Sequence, residues 1–327
     1  MSDTKSEVSA VTRGWSDVNP IKMMMTFAAT SFTYSFLGQP LFLVIARQQC
    51  CKTPISASDV FWDVIKTCGW KGLYRGVGAS VTGTVLCELV YYFVVEYGKE
   101  HLPMKDRRSR SFASGLLADI CCTPVFNPFG VVSQVQMVAG SMFSVEHNYM
   151  SAWRTTTTLV REQGVRCLFK GTLLTFMAAP LTGAWWFIYE TFKSAAYNCA
   201  PYIASLLSPM MSPSLISRLP HYMVSHTDNA LINMGVGALS SVVLGFVMNP
   251  IYVLRLRLQV EKTTGTERFP ALRIVKETLR HEGPRALYKG LGINLLMAGV
   301  GGCAFGATYE GAKQFSDKGV DGEETDV

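Results

Sequence analysis

The sequence predicts an all-α membrane protein of six transmembrane helices, built as three pseudo-symmetric repeats joined by short helices. Two observations carry that prediction. First, 49% of the 327 residues are hydrophobic and only 17% charged, and mean hydropathy is +0.21. Apolar stretches of spanning length occur near 21–46, 76–98, 110–137, 171–192, 228–256 and 290–312. Second, three times a polar residue and a proline interrupt an apolar stretch, and each time an aromatic–basic–glycine triplet follows. The copies are Gln39-Pro40 with Tyr74-Arg75-Gly76, Asn127-Pro128 with Phe169-Lys170-Gly171, and Asn249-Pro250 with Tyr288-Lys289-Gly290. Proline to final glycine spans 36, 43 and 40 residues, which marks a repeated module.

In chain order, residues 1–20 read as a polar tail. They carry Asp3, Glu7 and Asp17 and do not resemble an Arg-rich transit peptide. Repeat 1 is expected over 21–105, repeat 2 over 106–198 and repeat 3 over 226–316. Inside them, Pro40, Pro128 and Pro250 each remove a backbone donor and should kink their helix at an equivalent depth. Packed membrane helices can tolerate proline and glycine. Between repeats 2 and 3 lies an insertion, 199–225, with four prolines and apolar residues including Tyr202, Leu206 and Met210. Residues 200–222 of it are expected to meet a protein partner or the membrane surface. An acidic tail, 317–327, ends the chain.

Charge is one-sided. Segments 47–75, 134–170 and 255–289 hold 18 Lys/Arg against 8 Asp/Glu, while the rest of the chain holds 12 against 16. The overall +6 is therefore a single basic face, which the positive-inside tendency turns inward. Basic loops interleaved with spanning helices argue against nucleic-acid binding. The nine cysteines form no CxxC and the five histidines no ligand spacing, so no metal site is expected. No GxGxxG, phosphate loop or nucleophile–base pair appears, and no enzymatic activity is expected.

The repeats resemble the mitochondrial carrier family, whose module reads P-x-[DE]-x-x-[KR]-x-[KR]-x-Q, then E-G, then [FYW]-[KR]-G. The third copy fits best, with Pro250, Arg255, Arg257, Gln259, Glu282-Gly283 and Tyr288-Lys289-Gly290. A second signature, [FY]-[DE]-x-x-[KR], occurs at Tyr189-Glu190 with Lys193 and at Tyr309-Glu310 with Lys313. Its first copy, Glu96 with Lys99, lacks only the aromatic. The resemblance covers roughly 20–316 and implies a solute carrier working by alternating access.

It also implies roles. A cytosol-side gate would pair Glu96 with Lys193, Glu190 with Lys313, and Glu310 with Lys99. The matrix-side ring is lost: its acid positions are Phe42, Gly130 and Tyr252, and its base positions Ile45, Ser133 and Arg255. Counting only these positions, the protein should rest closed to the cytosol and open to the matrix. Family substrate contacts fall on Gly83, Ala178, Ala179 and Met297, which bear no charge. Strongly anionic substrates are disfavoured, because desolvated carboxylates and phosphates need cationic partners. Glu88 and Asp119 are candidate cavity acids for a cation or protonated amine, or else structural residues, Asp119 with Thr123 one turn on.

The resemblance further implies that the triplets Arg75-Gly76, Lys170-Gly171 and Lys289-Gly290, which open helices with free N–H groups suited to a phosphate, bind a membrane lipid such as cardiolipin, or else serve as basic interfacial anchors. Two functions stay open. One is a multi-pass carrier of the mitochondrial inner membrane moving a small metabolite. The other is a non-transporting homologue serving as a membrane-complex subunit or interaction platform. Outer mitochondrial or peroxisomal membrane is the alternative location.

Overall fold

The computed structural model of the chain describes residues 20–104, 106–140, 151–207, 230–261 and 270–315. The helices are α1 Pro20–Cys50, α2 Ala57–Cys68, α3 Val77–His101, α4 Arg107–Val138 and α5 Ala152–Gln163. They continue with α6 Thr172–Leu207, α7 Ala230–Val260, α8 Pro270–His281 and α9 Leu291–Phe315. Among the described residues there is no strand. Six helices (α1, α3, α4, α6, α7 and α9) are long and apolar enough to cross a membrane. The apolar runs beginning at 21 and 171 grow into helices of 31 and 36 residues, so α6 absorbs the first part of the expected insertion, to Leu207. Residues 208–229, with most of the 200–222 segment proposed as a contact surface, lie outside the described residues, as do both tails.

Each repeat follows one path: a long helix with an internal proline, a 12-residue helix, a 3₁₀ turn and a second long helix. The short helices are amphipathic. α2 buries Val60 and Val64, α5 buries Thr155 and Leu159, and α8 buries Ile274 and Thr278, four residues apart in each case. Two glycines per repeat flank the 3₁₀ turn with positive φ, for example Gly69 at +66° and Gly76 at +81°. A side chain would be strained there, which is why the triplet must end in glycine.

The residue before each proline has a structural task. Gln39 donates to the Arg75 carbonyl (2.7 Å), Asn249 to the Leu287 carbonyl (2.8 Å) and Asn127 to the Thr172 hydroxyl. Each ties the kinked segment to its own triplet region. A buried amide without such a partner would cost about 1–3 kcal/mol.

The six long helices pack in a closed ring, each on the next, with α9 returning to α1. The proline helices α1, α4 and α7 also touch one another across it. Between α7 and α9 the backbones meet closely at Gly237, Gly302 and Gly306, where a Cβ would strike the facing main chain. Three apolar cores form among the described residues, a small one around Val131, Leu159 and Cys167 and two larger ones. One, at the end carrying the basic loops, joins Leu43, Ala46, Val64, Leu73, Met137 and Leu256. The other, at the far end, joins Phe27, Tyr92, Val95, Ala118, Trp186 and Tyr189.

Candidate functional site

The basic end is held by cations placed on helix C-termini. Arg75 Nη1 donates to the Ala139 carbonyl (3.0 Å), Lys170 Nζ to that of Glu261 (2.7 Å), and Lys289 Nζ to those of Cys51 and Lys52 (2.6 and 2.7 Å). Each triplet base therefore caps the proline helix of the next repeat, and repeat 3 closes back on repeat 1. Unsatisfied carbonyls and the negative end of the helix dipole favour a cation at these points. Arg47 reinforces the first junction by donating to Met137 O (3.1 Å), and Arg257 the third by donating to Gln49 O (2.9 Å).

Glu282 anchors the third junction, accepting from Arg257 at 2.6 and 2.9 Å and from Lys289. Burial pushes the Glu282 carboxyl up, but those two cations outweigh it and hold it below the ordinary glutamate value. In repeat 2, Gln163 takes the equivalent place and accepts from Lys170 at 2.6 Å.

The basic end is thus held together without the family's ion-pair ring. All three family acids and two of the three bases are absent, Arg255 alone remaining: Phe42 packs against Tyr34, Gly130 lies against Phe126, and Ser133 donates to Gly76 O at 3.1 Å. Yet α1, α4 and α7 are joined at this end by main-chain capping, an interaction that a count of opposite side-chain charges does not register. The glutamine positions also have work: Gln259 donates to Lys170 O (3.3 Å).

At the far end the rings of four helices, α1, α3, α6 and α9, meet. Phe27 stacks on Tyr92 with centroids 3.6 Å apart, and Phe305 packs edge-on to Trp185 (4.7 Å), Trp186 (5.5 Å) and Tyr189. Such pairs add to the burial of their own surface. Glu96 and Glu190 are buried here, and both engage partners, as do Lys99 and Lys193. Lys99 Nζ sits 3.7 Å from the centre of the Trp186 ring. The side chains of Tyr309, Glu310 and Lys313 lie outside the described residues, so two of the three expected pairs fall there.

Between the ends lies a polar centre. Asp119 on α4 accepts from the Thr182 hydroxyl on α6. Thr123, expected as its partner, donates instead to the Asp119 main-chain carbonyl (2.7 Å). Glu88 on α3 faces the Tyr92 hydroxyl, and Trp186 Nε1 donates to the Tyr91 hydroxyl at 2.7 Å. Arg255 leaves the basic end and reaches into the ring, donating to Asn127 Oδ1 (2.7 Å) over the Phe126 face and within electrostatic reach of Asp119. The sequence reading saw Arg255 only as a gate base without a partner; that lack was the signal that it serves elsewhere.

The four expected contact positions do not line this centre as open sites. Ala178 and Ala179 are buried, Gly83 lies against Phe129, and Met297 lines a separate cavity of about 570 Å³ with Thr30, Tyr34 and Gly38. Near the first triplet, a cavity of about 480 Å³ is lined by Tyr74, Arg75, Gly76, Val77, Gln136 and Ala152. The Arg75, Lys170 and Lys289 head groups all contact protein carbonyls, so at these junctions it is the glycine-led helix starts, Gly76, Gly171 and Gly290, that offer N–H groups to an anion.

Comparison with known proteins agrees with the repeat pattern. Residues 16–106, 107–198 and 226–319 each match the family described as mitochondrial carrier protein. The chain is 27% identical to mitochondrial substrate carrier family protein J of Dictyostelium discoideum, over 73% of this chain and 72% of that one. It is 25% identical to mitochondrial magnesium exporter 1 of Drosophila melanogaster, covering 84% and 87%. Against the mitochondrial carnitine/acylcarnitine carrier protein of Mus musculus it is 25% identical, covering 91% and 95%.

Proposed function

The chain belongs to the mitochondrial carrier family of small-metabolite transporters, and from that premise we propose that it moves a small, not strongly anionic metabolite across the mitochondrial inner membrane by alternating access. The carrying observation is that the two ends are latched by different means on different residues. Aromatic packing with Lys99 closes the far end, and cationic helix caps close the basic end. Separate latches around a polar centre are what alternation requires, since each can open while the other holds. The basic end faces the matrix in this reading, and cardiolipin headgroups occupy the helix starts beside the triplets. Relatives named for magnesium export and for carnitine/acylcarnitine are equally distant, at 25% identity, so neither sets the cargo.

A second reading, a membrane-complex subunit that no longer transports, draws on the packed contact positions Gly83, Ala178 and Ala179. The two are separated by purifying the chain and screening its melting temperature against a broad metabolite panel. A carrier is stabilised by its substrate through mass action and exchanges it in liposomes. No stabilisation and no uptake of any compound would leave the platform reading.

A further inference from the structure

The polar centre is divided by charge along the ring axis. Toward the far end stand two carboxylates, Glu88 on α3 and Asp119 on α4, beneath Tyr91 and the Trp185–Trp186 pair. Toward the basic end stands Arg255. Its guanidinium makes one hydrogen bond, to Asn127, and its Nε and Nη1 have no hydrogen-bond partner among the described residues. Asp119 accepts from Thr182 through Oδ2, which leaves acceptor capacity on the carboxylate. The aromatic roof already carries one ammonium, that of Lys99 on Trp186. Ring faces of this kind hold alkylammonium groups.

We infer that the site takes a zwitterion, with its ammonium between Asp119, Glu88 and the aromatic roof and its carboxylate on Arg255. This rests on the transport reading above and names its substrate class. A lone anion would meet two carboxylates, and a lone cation would leave Arg255 uncompensated in a desolvated site. A molecule carrying both charges answers both poles.

The test uses the purified full chain with 4-(trimethylammonio)butanoate, its cation-only analogue butyltrimethylammonium and its anion-only analogue pentanoate. Malate, phosphate and an adenine nucleotide serve as an anionic panel. The zwitterion should raise the melting temperature and exchange in cardiolipin-containing liposomes, binding at least tenfold more tightly than either analogue. Asp119→Asn should weaken the zwitterion and the cation at least tenfold while sparing pentanoate, and Arg255→Gln should weaken the zwitterion and pentanoate while sparing the cation. Unliganded melting temperatures of both variants report their folding; the analogue that each variant still binds shows that its site survives. If an anion of the panel is transported and the zwitterion is not, the substrate class is wrong and the carrier reading stands. If no compound is bound or transported, both fall.

Discussion

Replacing Lys289 with methionine tests the capping ring where it is densest. Lys289 is 14% exposed and touches two carbonyls at the end of α1, at 2.6 and 2.7 Å, together with Glu282. Hydrogen bonds from a charged donor contribute about 1.5–3 kcal/mol each, but bonds sharing one donor do not add fully. A loss of about 2–4 kcal/mol is expected, which for a chain of this size lowers the melting temperature by about 3–6 °C. Arg75 makes one such carbonyl bond, at 3.0 Å, so Arg75→Met should lose less. Lys276 is exposed on α8, and Lys276→Met serves as the control. The assay is thermal unfolding of purified protein, followed by a thiol probe on Cys51, which is buried beneath this junction. Lys289→Met should unfold earliest and expose Cys51 to the probe below its melting temperature. Equal losses at Lys289 and Lys276 would refute the reasoning, because the end of α1 would then need no cation.

Two further outcomes follow from the same geometry. Glu282 is held below its ordinary value of 4.5, so its contribution is present above the unfolded-state pKa and lost as pH falls through the lower folded value. Stability measured from pH 6 downward should therefore drop below about pH 4.5, with a smaller drop in Glu282→Gln; identical profiles would mean that the Arg257–Glu282–Lys289 cluster does not form. Gly302→Val should fail to give folded protein or lose more than about 3 kcal/mol, since its Cβ would meet the Gly237 carbonyl. Gly292, with open space around it, should accept alanine with no loss and a gain of up to about 1 kcal/mol. A wild-type melting temperature for Gly302→Val would show that α7 and α9 are not in backbone contact.

Much of this molecule was legible in its residues, because the helical repeat, the prolines and the glycines are local facts. Pro40, Pro128 and Pro250 mark their helices by a missing donor, and Gly76, Gly171 and Gly290 mark turns that only glycine enters without strain. Apolar length sets six spans, and loop charge makes one end basic. None of this says which residue a side chain meets 64 or 237 positions away, as Arg75 meets Ala139 and Lys289 meets Lys52. Three near-identical modules are equally consistent with contacts inside a repeat or between repeats. Closure of the helices into a ring chooses between, and its consequences are tertiary. Triplet cations become caps for the neighbouring repeat, Arg255 turns inward to Asn127, and rings from four helices fill the far end. Periodicity fixes the face a residue occupies on its own helix, whereas the partner across that face is set by the geometry of the closed ring.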